Sequence, residues 1–435
     1  MTLPPSHAAG RRIAIVGGGI SGMAAALLLA RSGARVTLFE AAPRLGGHAR
    51  TVLAGRRGDQ PVDTGFIVFN RVNYPHLSAL FDELGVPVVP SDMSFGASLA
   101  GGRFEYGLRN LRAVFAQRRN GADPRFWGML RDILRFNARA RAAADDPALT
   151  VEGLIARLRL GAWFRDRYLL PLTGAIWSTP ARATLDFPAQ ALVRFFDNHA
   201  LLSHTGQHRW LTVHGGSVEY VRRVEAALVA AGAELRLFAP VEAVTRGAGG
   251  ATVKTAGAPA EGFDEVVFAT HADDTLRLLA DADADERRLL GAVRYQPNTA
   301  VLHADATLMP RRRAVWSSWV YTEAEGARDA GIELTYWMNS LQPIPADDPL
   351  FVTLNATRPI REALIHDQVT FRHPVYDLGA LAAQAGLRAR NGTRATWFAG
   401  AWMRNGFHED GFASAVDVVQ AIAARGMPAH AVAAE

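Results

Sequence analysis

Three glycines near the beginning of the sequence have the spacing of a phosphate-binding turn. Gly17, Gly19 and Gly22 form the pattern G-x-G-x-x-G. The first glycine of this pattern permits a tight turn, the second lets the backbone approach a pyrophosphate, and the third lets a strand and a helix pack closely. Glu40 follows 18 residues after Gly22, where a carboxylate can accept hydrogen bonds from a ribose hydroxyl and would repel a 2′-phosphate. These residues indicate a dinucleotide site.

The elements that must position these residues can be read on either side of the turn. Residues 12–16 are a short β-rich run, residues 23–31 are strong helix formers, and residues 35–39 predict a second strand that ends at Glu40. A structural turn without nucleotide is the alternative, because glycine-rich turns serve many folds. The order of strand, turn, helix, strand and acid favours the nucleotide site.

The residues after Glu40 carry a resemblance to a known family. Arg44-Leu45-Gly46-Gly47-His48 is followed by Asp63-Thr64-Gly65, and a later strand leads into Pro240-Val241-Glu242. These segments resemble the flavin-containing amine oxidase superfamily, which includes phytoene desaturases and protoporphyrinogen oxidases and binds FAD. The resemblance implies cofactor contacts from Ser21, Arg44, Gly46, Gly47, His48 and Val241.

A motif near residue 400 extends the resemblance. Residues 396–400 predict a strand that ends in glycine, and residues 412–425 predict a helix stopped by Gly426 and Pro428. This arrangement is similar to the closing flavin motif of the family and implies contacts from Gly400, Asp410, Gly411 and Phe412. The N-terminus of such a helix can face the pyrimidine edge of the flavin, where negative charge develops on reduction.

The sequence departs from amine-oxidising relatives at positions that bear on the reaction. His48 stands where the family usually has arginine, and Ala401 where many relatives have an acid. Such relatives commonly keep a lysine that is linked through water to flavin N5, whereas the only lysine here, Lys254, lies in a predicted strand of the cofactor region. Phe407 takes the place of a tyrosine of their aromatic cage. These departures weigh against simple amine oxidation.

A second unit is predicted to hold the substrate. Strands can be read at residues 301–304, 314–322, 332–339 and 350–355, and the turns between them suggest an antiparallel meander. Side chains of the third strand alternate between its two faces, so one face is predicted to pack in the core and the other to line a pocket. Burial of Trp337 in the core, without a contact to substrate, is an equal alternative. The candidate pocket residues are Ile176, Trp177, Trp337, Asn339 and Phe407.

Residues 109–168 have mostly helical patterns, with many arginines among aromatic and aliphatic residues. Such a composition can lie at an anionic bilayer surface, with arginines on phosphates and aromatic rings at the headgroup level. An amphipathic domain with solvated arginines explains the same pattern. We favour this second interpretation, because aromatic stripes at helical spacing usually belong to a core.

Composition excludes several classes of mechanism. The chain has 435 residues, enough for two or three compact units, and no cysteine, which excludes disulfides, thiolate nucleophiles and a cysteinyl flavin link. A net charge of +5 is too small to indicate nucleic acid. Loop positions for His199, His204 and His208 argue against a metal site.

Without a secretory signal we expect a cytoplasmic protein, with peripheral contact at the inner face of the membrane as an option.

Together these observations predict an α/β protein with a Rossmann-type FAD-binding domain and an α+β substrate domain that has a mixed or antiparallel sheet and a helical insertion. The predicted segments are 11–75, 206–275 and 385–428 for the first domain, and 76–205 and 276–384 for the second, with the helical region near 108–200.

We expect an FAD-dependent oxidoreductase, a dehydrogenase, desaturase or oxidase, that transfers hydride from a hydrophobic substrate to flavin N5. A fatty-acyl lipid or an isoprenoid fits this expectation. A flavin-dependent double-bond isomerase and an amine oxidase are the alternatives. No catalytic residue is assigned, because the flavin carries the chemistry, and the oligomeric state is not predicted.

Overall fold

The computed structural model describes residues 8–146, 148–177, 184–202, 208–247, 249–326 and 333–425. The strands are β1 (Arg12–Val16), β2 (Arg35–Phe39), β3 (Thr51–Ala54), β4 (Gln60–Asp63), β5 (Val68–Asn70), β6 (Val88–Pro90), β7 (Phe95–Leu99), β8 (Phe104–Gly107), β9 (Trp210–Val213), β10 (Glu234–Arg236), β11 (Val241–Gly247), β12 (Gly250–Thr255), β13 (Glu261–Phe263), β14 (Glu265–Phe268), β15 (Arg294–His303), β16 (Trp319–Thr322), β17 (Glu333–Trp337), β18 (Phe351–Leu354), β19 (Ile365–Val375) and β20 (Thr396–Phe398).

The helices are α1 (Ile20–Arg31), α2 (Pro75–Glu83), α3 (Leu111–Val114), α4 (Pro124–Ala143), α5 (Val151–Arg157), α6 (Ala162–Phe164), α7 (Leu170–Trp177), α8 (Ala189–Asn198), α9 (Val218–Ala230), α10 (Ala272–Leu278), α11 (Ala284–Gly291), α12 (Met338–Leu341), α13 (Leu378–Arg390) and α14 (His408–Ala424).

A five-stranded parallel sheet, in the order β10-β2-β1-β14-β20, forms the first unit. The predicted strands over residues 12–16 and 35–39 are confirmed residue for residue, and α1 starts at Ile20, directly after Gly19. Strand β1 is buried from Ile13 onward and α1 up to Ala30. This burial explains the continuous apolar run, since parallel sheets are covered on both faces.

The core of the parallel unit reaches beyond the predicted segments. Leu77 and Phe81 of α2 pack in the same apolar cluster as Ile15 and the buried face of α1. Leu278 of α10 and Leu289 of α11 pack in the cluster on the other side of the sheet. The small antiparallel sheets β11-β12-β13 and β5-β9-β6 flank this unit.

A seven-stranded mixed sheet, in the order β19-β15-β18-β17-β16-β7-β8, forms the second unit. The predicted antiparallel meander is correct for β16, β17 and β18, whereas β15 pairs antiparallel with β18 instead of with β16. Strand β16 then pairs in parallel with β7, from a distant part of the chain. The fold class predicted from the sequence is therefore confirmed.

Helices α3 to α8 form a layer over one face of the mixed sheet. Phe126 and Phe136 of α4 are fully buried, together with Phe164 of α6 and Phe196 of α8. The aromatic stripe is thus core, as the favoured interpretation requires. No helix in the described ranges is both long enough and apolar enough to cross a membrane.

Candidate functional site

The turns at the carboxyl ends of the parallel strands form one edge of the first unit. Gly17, after β1, has φ +105° and donates its N–H to the Phe39 carbonyl oxygen at 2.8 Å. A Cβ on Gly22 would lie 1.8 Å from the Gly17 carbonyl oxygen. The first and third glycines are therefore required by the turn itself.

Gly19 differs from these two glycines, because a Cβ added there would meet nothing within 4 Å. The turn of Gly46 and Gly47 lies beside it: the Gly46 N–H donates to the Gly18 carbonyl oxygen at 2.9 Å, and a Cβ on Gly47 would come within 3.1 Å of the Gly19 Cα. Two glycine turns thus border open space at the N-terminus of α1. This space fits a pyrophosphate, whose charge the free N–H groups and the helix dipole favour.

Glu40 stands at the end of β2, with both carboxylate oxygens already engaged. The Gly18 N–H donates to Oε2 at 2.6 Å and the Ala42 N–H donates to Oε1 at 2.8 Å. A carboxylate offers about four lone-pair sites, so Glu40 keeps capacity for the hydroxyls of a ribose. Val241, at the start of β11, follows Ala239, whose N–H bonds to the Glu40 carbonyl oxygen. Glu40 and Val241 therefore lie close together, as the predicted adenosine contacts require.

Replacing Glu40 by glutamine should weaken FAD binding about tenfold, because a neutral amide accepts weaker hydrogen bonds than a carboxylate and offers fewer acceptor sites. Titrating FAD-free protein with FAD and following flavin fluorescence measures the effect. Glu242→Gln, at an exposed position of β11, is the matched control and should bind like the wild type. Equal affinity in Glu40→Gln would contradict the ribose contact.

Arg44 stabilises the Gly46-Gly47 turn through hydrogen bonds to backbone carbonyl oxygens. Its guanidinium donates to the carbonyl oxygens of Ala49 at 2.8 Å and Leu45 at 3.1 Å. Partial burial, with the nearby charge of Arg50, lowers the pKa of Arg44. Arg44 thus supports the turn that borders the candidate pyrophosphate position, and its contact with the cofactor stays a prediction.

The N-terminus of α14 meets the N-terminus of α1. A Cβ on Gly411 would lie 2.8 Å from Ile20 Cγ2 and 2.9 Å from the Ser21 Oγ, so glycine lets the two helices touch. The Asp410 carboxylate accepts the Phe407 N–H at 2.9 Å and caps α14. The Ser414 hydroxyl oxygen accepts the Gly400 N–H at 2.9 Å and ties β20 to α14. The remaining N–H groups of the first turn stay free for an electron-rich ring edge.

Two residues of this helix have structural functions that the sequence did not reveal. The Phe412 ring, predicted to contact the cofactor, is buried in the core and stacked on His76 with 5.7 Å between ring centres. Glu409 accepts the N–H groups of His76 at 2.9 Å and Leu77 at 3.0 Å and so caps α2. Burial raises the pKa of Glu409 to about 7. No local pattern signals a cap whose partners are over 300 residues apart.

Three imidazoles meet where the two units join. His48, which follows the Gly46-Gly47 turn, stacks on Phe371 of β19 at 4.8 Å and lies 5.7 Å from the His373 ring and 5.8 Å from the His271 ring. Burial, followed by the effect of His373, lowers the pKa of His48 to about 3, and burial lowers that of His373 to about 4. Both rings are therefore neutral at pH 7.

Phe407 connects the cofactor site with the interior of the second unit. Its ring stacks on Phe195 of α8 at 5.1 Å and lies 5.6 Å from His199. The next residue, His408, stacks on Phe66 at 4.0 Å. Aromatic rings thus cover the N-terminus of α14 on the side of the helical layer.

The remaining predicted pocket residues are divided by the mixed sheet. Ile176 packs against the same apolar cluster as Phe407, and the side chain of Trp177 lies outside the described residues. Trp337 lies on the opposite face of the sheet, with its ring 5.5 Å from Trp316. Asn339 is not part of a strand, since it lies in α12 and binds backbone groups of residues 345–350. The predictions for Trp337 and Asn339 are therefore wrong in position, because neither packs with Ile176 and Phe407, whereas Tyr336 packs against their cluster.

The other polar groups considered from the sequence are engaged locally. Lys254 donates to the carbonyl oxygen of Ala258 and stays on β12. His208 bonds to the Asn198 carbonyl oxygen, and His204 lies outside the described residues. Among the described residues, the one cluster with metal-ligand geometry is His271, Asp273 and Asp274. The Arg372 guanidinium already bonds to both of its carboxylates.

Asp63 is a buried hydrogen-bond acceptor that connects several segments around the candidate site. In the sequence, only the family resemblance pointed to it. It is fully buried and accepts hydrogen bonds from the hydroxyl groups of Thr51 at 2.6 Å and Ser217 at 2.7 Å, and from the Gln342 amide at 2.9 Å. It also accepts the Ser217 N–H at 2.8 Å. Burial raises the pKa of Asp63 to about 6. It joins β4, the start of α9 and the second unit.

A family model for flavin-containing amine oxidoreductases matches residues 20–306. The chain belongs to this family. It is an FAD-dependent oxidoreductase, and the predictions of the family, the cofactor and the enzyme class are confirmed. The open space beside Gly19 and the N-terminus of α14 are the candidate positions for this cofactor.

Relatives of quite different activities share this architecture. A stretch of 78 residues, 18% of this chain and 14% of the relative, is 40% identical to protoporphyrinogen oxidase 2 of Arabidopsis thaliana. A fatty acid isomerase from P. acnes superposes with a TM-score of 0.68 at 16% identity, covering 96% of this chain and 99% of its own. Cyclohexylamine oxidase from Brevibacterium oxydans gives 0.66 at 18% identity, covering 96% and 99%. These likenesses establish the fold, while substrate choice depends on the site.

Proposed function

We propose that this flavoenzyme oxidises a hydrophobic substrate, an acyl chain of a fatty-acyl lipid or an isoprenoid, by hydride transfer to FAD. The observation that carries the proposal is the aromatic stack of Phe407 on Phe195. It joins the cofactor site directly to the large apolar cluster between the mixed sheet and the helical layer. A substrate that reaches the flavin from this side passes along apolar surface.

The residues on this route are suited to an uncharged chain. Tyr336 on the sheet and Ile176 on α7 are partly buried against the cluster, as are Trp319 and Phe407. Phe407 replaces the family's cage tyrosine, and Lys254 is held away on β12. The site therefore favours a carbon chain over an amine.

The chain's own residues orient the substrate and keep water out. FAD supplies the acceptor for hydride at N5. Phe407 and Phe195 fix the reacting carbon and shield it from solvent, and correct placement alone contributes strongly to rate. His48 and His373 stay neutral, so no imidazolium charge lies at the junction of the two units. The N–H groups at the start of α14 would stabilise negative charge on a flavin whose pyrimidine edge faces them.

Anaerobic mixing of the holoenzyme with a fatty-acyl phospholipid, a polyprenol and an alkylamine in parallel tests the proposal. We expect the visible flavin absorbance to disappear with an acyl or isoprenoid substrate and to persist with the amine. Phe407→Ala should slow this reduction by about tenfold or more, because the substrate loses its aromatic support. Phe238→Ala, at a 73% exposed ring in the first unit, is the control and should react normally.

Two results would overturn the proposal. Bleaching by the alkylamine but by neither apolar substrate would make the protein an amine oxidase. A product with a shifted double bond, formed without bleaching and without an external acceptor, would make it a flavin-dependent isomerase.

A further inference from the structure

The exposed apolar side chains of the molecule are concentrated on the helical layer. Among the described residues, ten large hydrophobic side chains are exposed, and four of them fall within residues 108–134. These four are Leu108, Leu111, Trp127 and Leu134, exposed by 36%, 76%, 52% and 58%. Single exposed hydrophobic residues are normal on protein surfaces, but a local concentration of them marks a binding surface.

These side chains lie on a continuous surface. The Phe115 N–H bonds to the Leu111 carbonyl oxygen at 3.0 Å, one helical turn away. The Phe115 ring lies 5.4 Å from that of Trp127, whose indole N–H donates to the Gly121 carbonyl oxygen at 2.8 Å. Leu134 lies two turns further along α4, on the same side as Trp127.

The positive charge of the protein is concentrated in the same region. Residues 108–134 contain six arginines and two aspartates, a net charge of +4 in a chain whose total is +5. Asp132 is buried, and Asp123 is paired with Arg125. Arg112 and Arg118 are exposed and form no ion pair with any described residue.

A groove of about 430 Å³ with several guanidinium groups continues this surface. Its lining includes Arg103, Gln117, Arg119, Arg311 and Arg312. Gln117 and Arg119 belong to the segment between Phe115 and Gly121, so the groove borders the apolar patch. Guanidinium groups match the geometry of phosphate oxygens.

We propose that this basic face, defined by residues 108–134 together with Arg311, docks on an anionic phospholipid bilayer. Leucine and tryptophan side chains at the acyl boundary with arginines on phosphates are the pattern that interfacial helices use. Exposed Trp127 and Leu134 favour a bilayer over a nucleic acid, which would need no apolar side chains between the cations. The proposal goes beyond the proposed function and does not depend on it.

Packed aromatic rings lie between this face and the candidate cofactor site. Phe136 of α4 packs on Phe196 of α8 at 6.0 Å, and the neighbouring Phe195 stacks on Phe407 beside the cofactor. Helices α4 and α8 of the helical layer therefore lie between the basic face and Phe407.

Sedimentation of the holoenzyme with vesicles tests the proposal. We expect binding to vesicles of phosphatidylcholine with phosphatidylglycerol, little binding to pure phosphatidylcholine, and release in concentrated salt. Arg118→Gln with Arg311→Gln should lower the partition coefficient about 25-fold, since each surface cation contributes about fivefold. Leu111→Ser with Leu134→Ser should lower it by a similar factor.

Matched variants and a competitor keep the proposal falsifiable. Arg56→Gln with Arg287→Gln removes two exposed arginines elsewhere, and Leu378→Ser removes a 65% exposed leucine; neither should change the partition coefficient. Flavin content and thermal midpoint verify that all variants fold. Equal loss in the control variants, equal binding to neutral vesicles, or displacement of the enzyme from vesicles by RNA at low concentration would overturn the proposal.

Discussion

The Gly19→Val variant should fold normally but purify without its yellow colour. Nothing lies within 4 Å of the position of its Cβ, so the new side chain causes no clash in the protein itself. It fills the space beside Gly47 and the start of α1 that the pyrophosphate needs. FAD affinity should fall by more than about a hundredfold, because backbone N–H contacts to the phosphates are lost. Absorbance after FAD addition and removal of excess measures occupancy.

Gly22→Ala separates folding from binding. There a Cβ would lie 1.8 Å from the Gly17 carbonyl oxygen, and the backbone of the turn must move. We expect a loss of about 3 kcal/mol or more in the free energy of unfolding of the FAD-free protein. Gly19→Val should show almost none of this loss. A yellow Gly19→Val protein with full flavin content would show that the phosphates lie elsewhere.

Asp63→Ala should destabilise the FAD-free protein by about 3 to 5 kcal/mol. The substitution leaves buried donors from Thr51, Ser217 and Gln342 without their acceptor, and each orphaned group costs free energy. Because Asp63 joins the first unit to Gln342 of the second, the loss should appear in the main unfolding transition. Urea denaturation followed by circular dichroism measures it.

Asp59→Ala provides the comparison for Asp63→Ala. Its carboxylate is 62% exposed and faces the exposed Arg57, and removal of a surface pair should change stability by no more than about 0.5 kcal/mol. If both variants unfold at the same urea concentration as the wild type, Asp63 does not hold the two units together.

The parts of the fold that the sequence predicts well are those with local causes. The turn of Gly17, Gly19 and Gly22 lies between β1 and α1, and strand propensity alone predicts residues 35–39. Each of these elements is determined by neighbours within a few residues. The family resemblance then supplied FAD and the distant helix α14, which no local pattern connects with the first strand.

Long-range burial accounts for what the sequence could not show. Trp337 and Tyr336 are both partly buried, since one face of the sheet meets the helical layer and the other meets Trp316. The alternation of side chains along this strand therefore could not show which face of the sheet meets the helical layer. Glu409 and Asp63 similarly act through partners that only the tertiary structure brings close. The sequence also could not show that Leu111 is exposed, because an exposed leucine and a buried aromatic residue are both compatible with the pattern of an amphipathic helix.

The pairing of β20 with β14 has a consequence for how the protein is made. A ribosome that has just produced Phe268 must add more than a hundred residues before Thr396–Phe398 can pair with β14. At typical elongation rates this takes on the order of ten seconds. During that interval the growing polypeptide presents an unpaired hydrophobic edge, which is the feature that invites aggregation. Chaperone attendance on the nascent chain should therefore peak in this window, before the yellow cofactor can be captured.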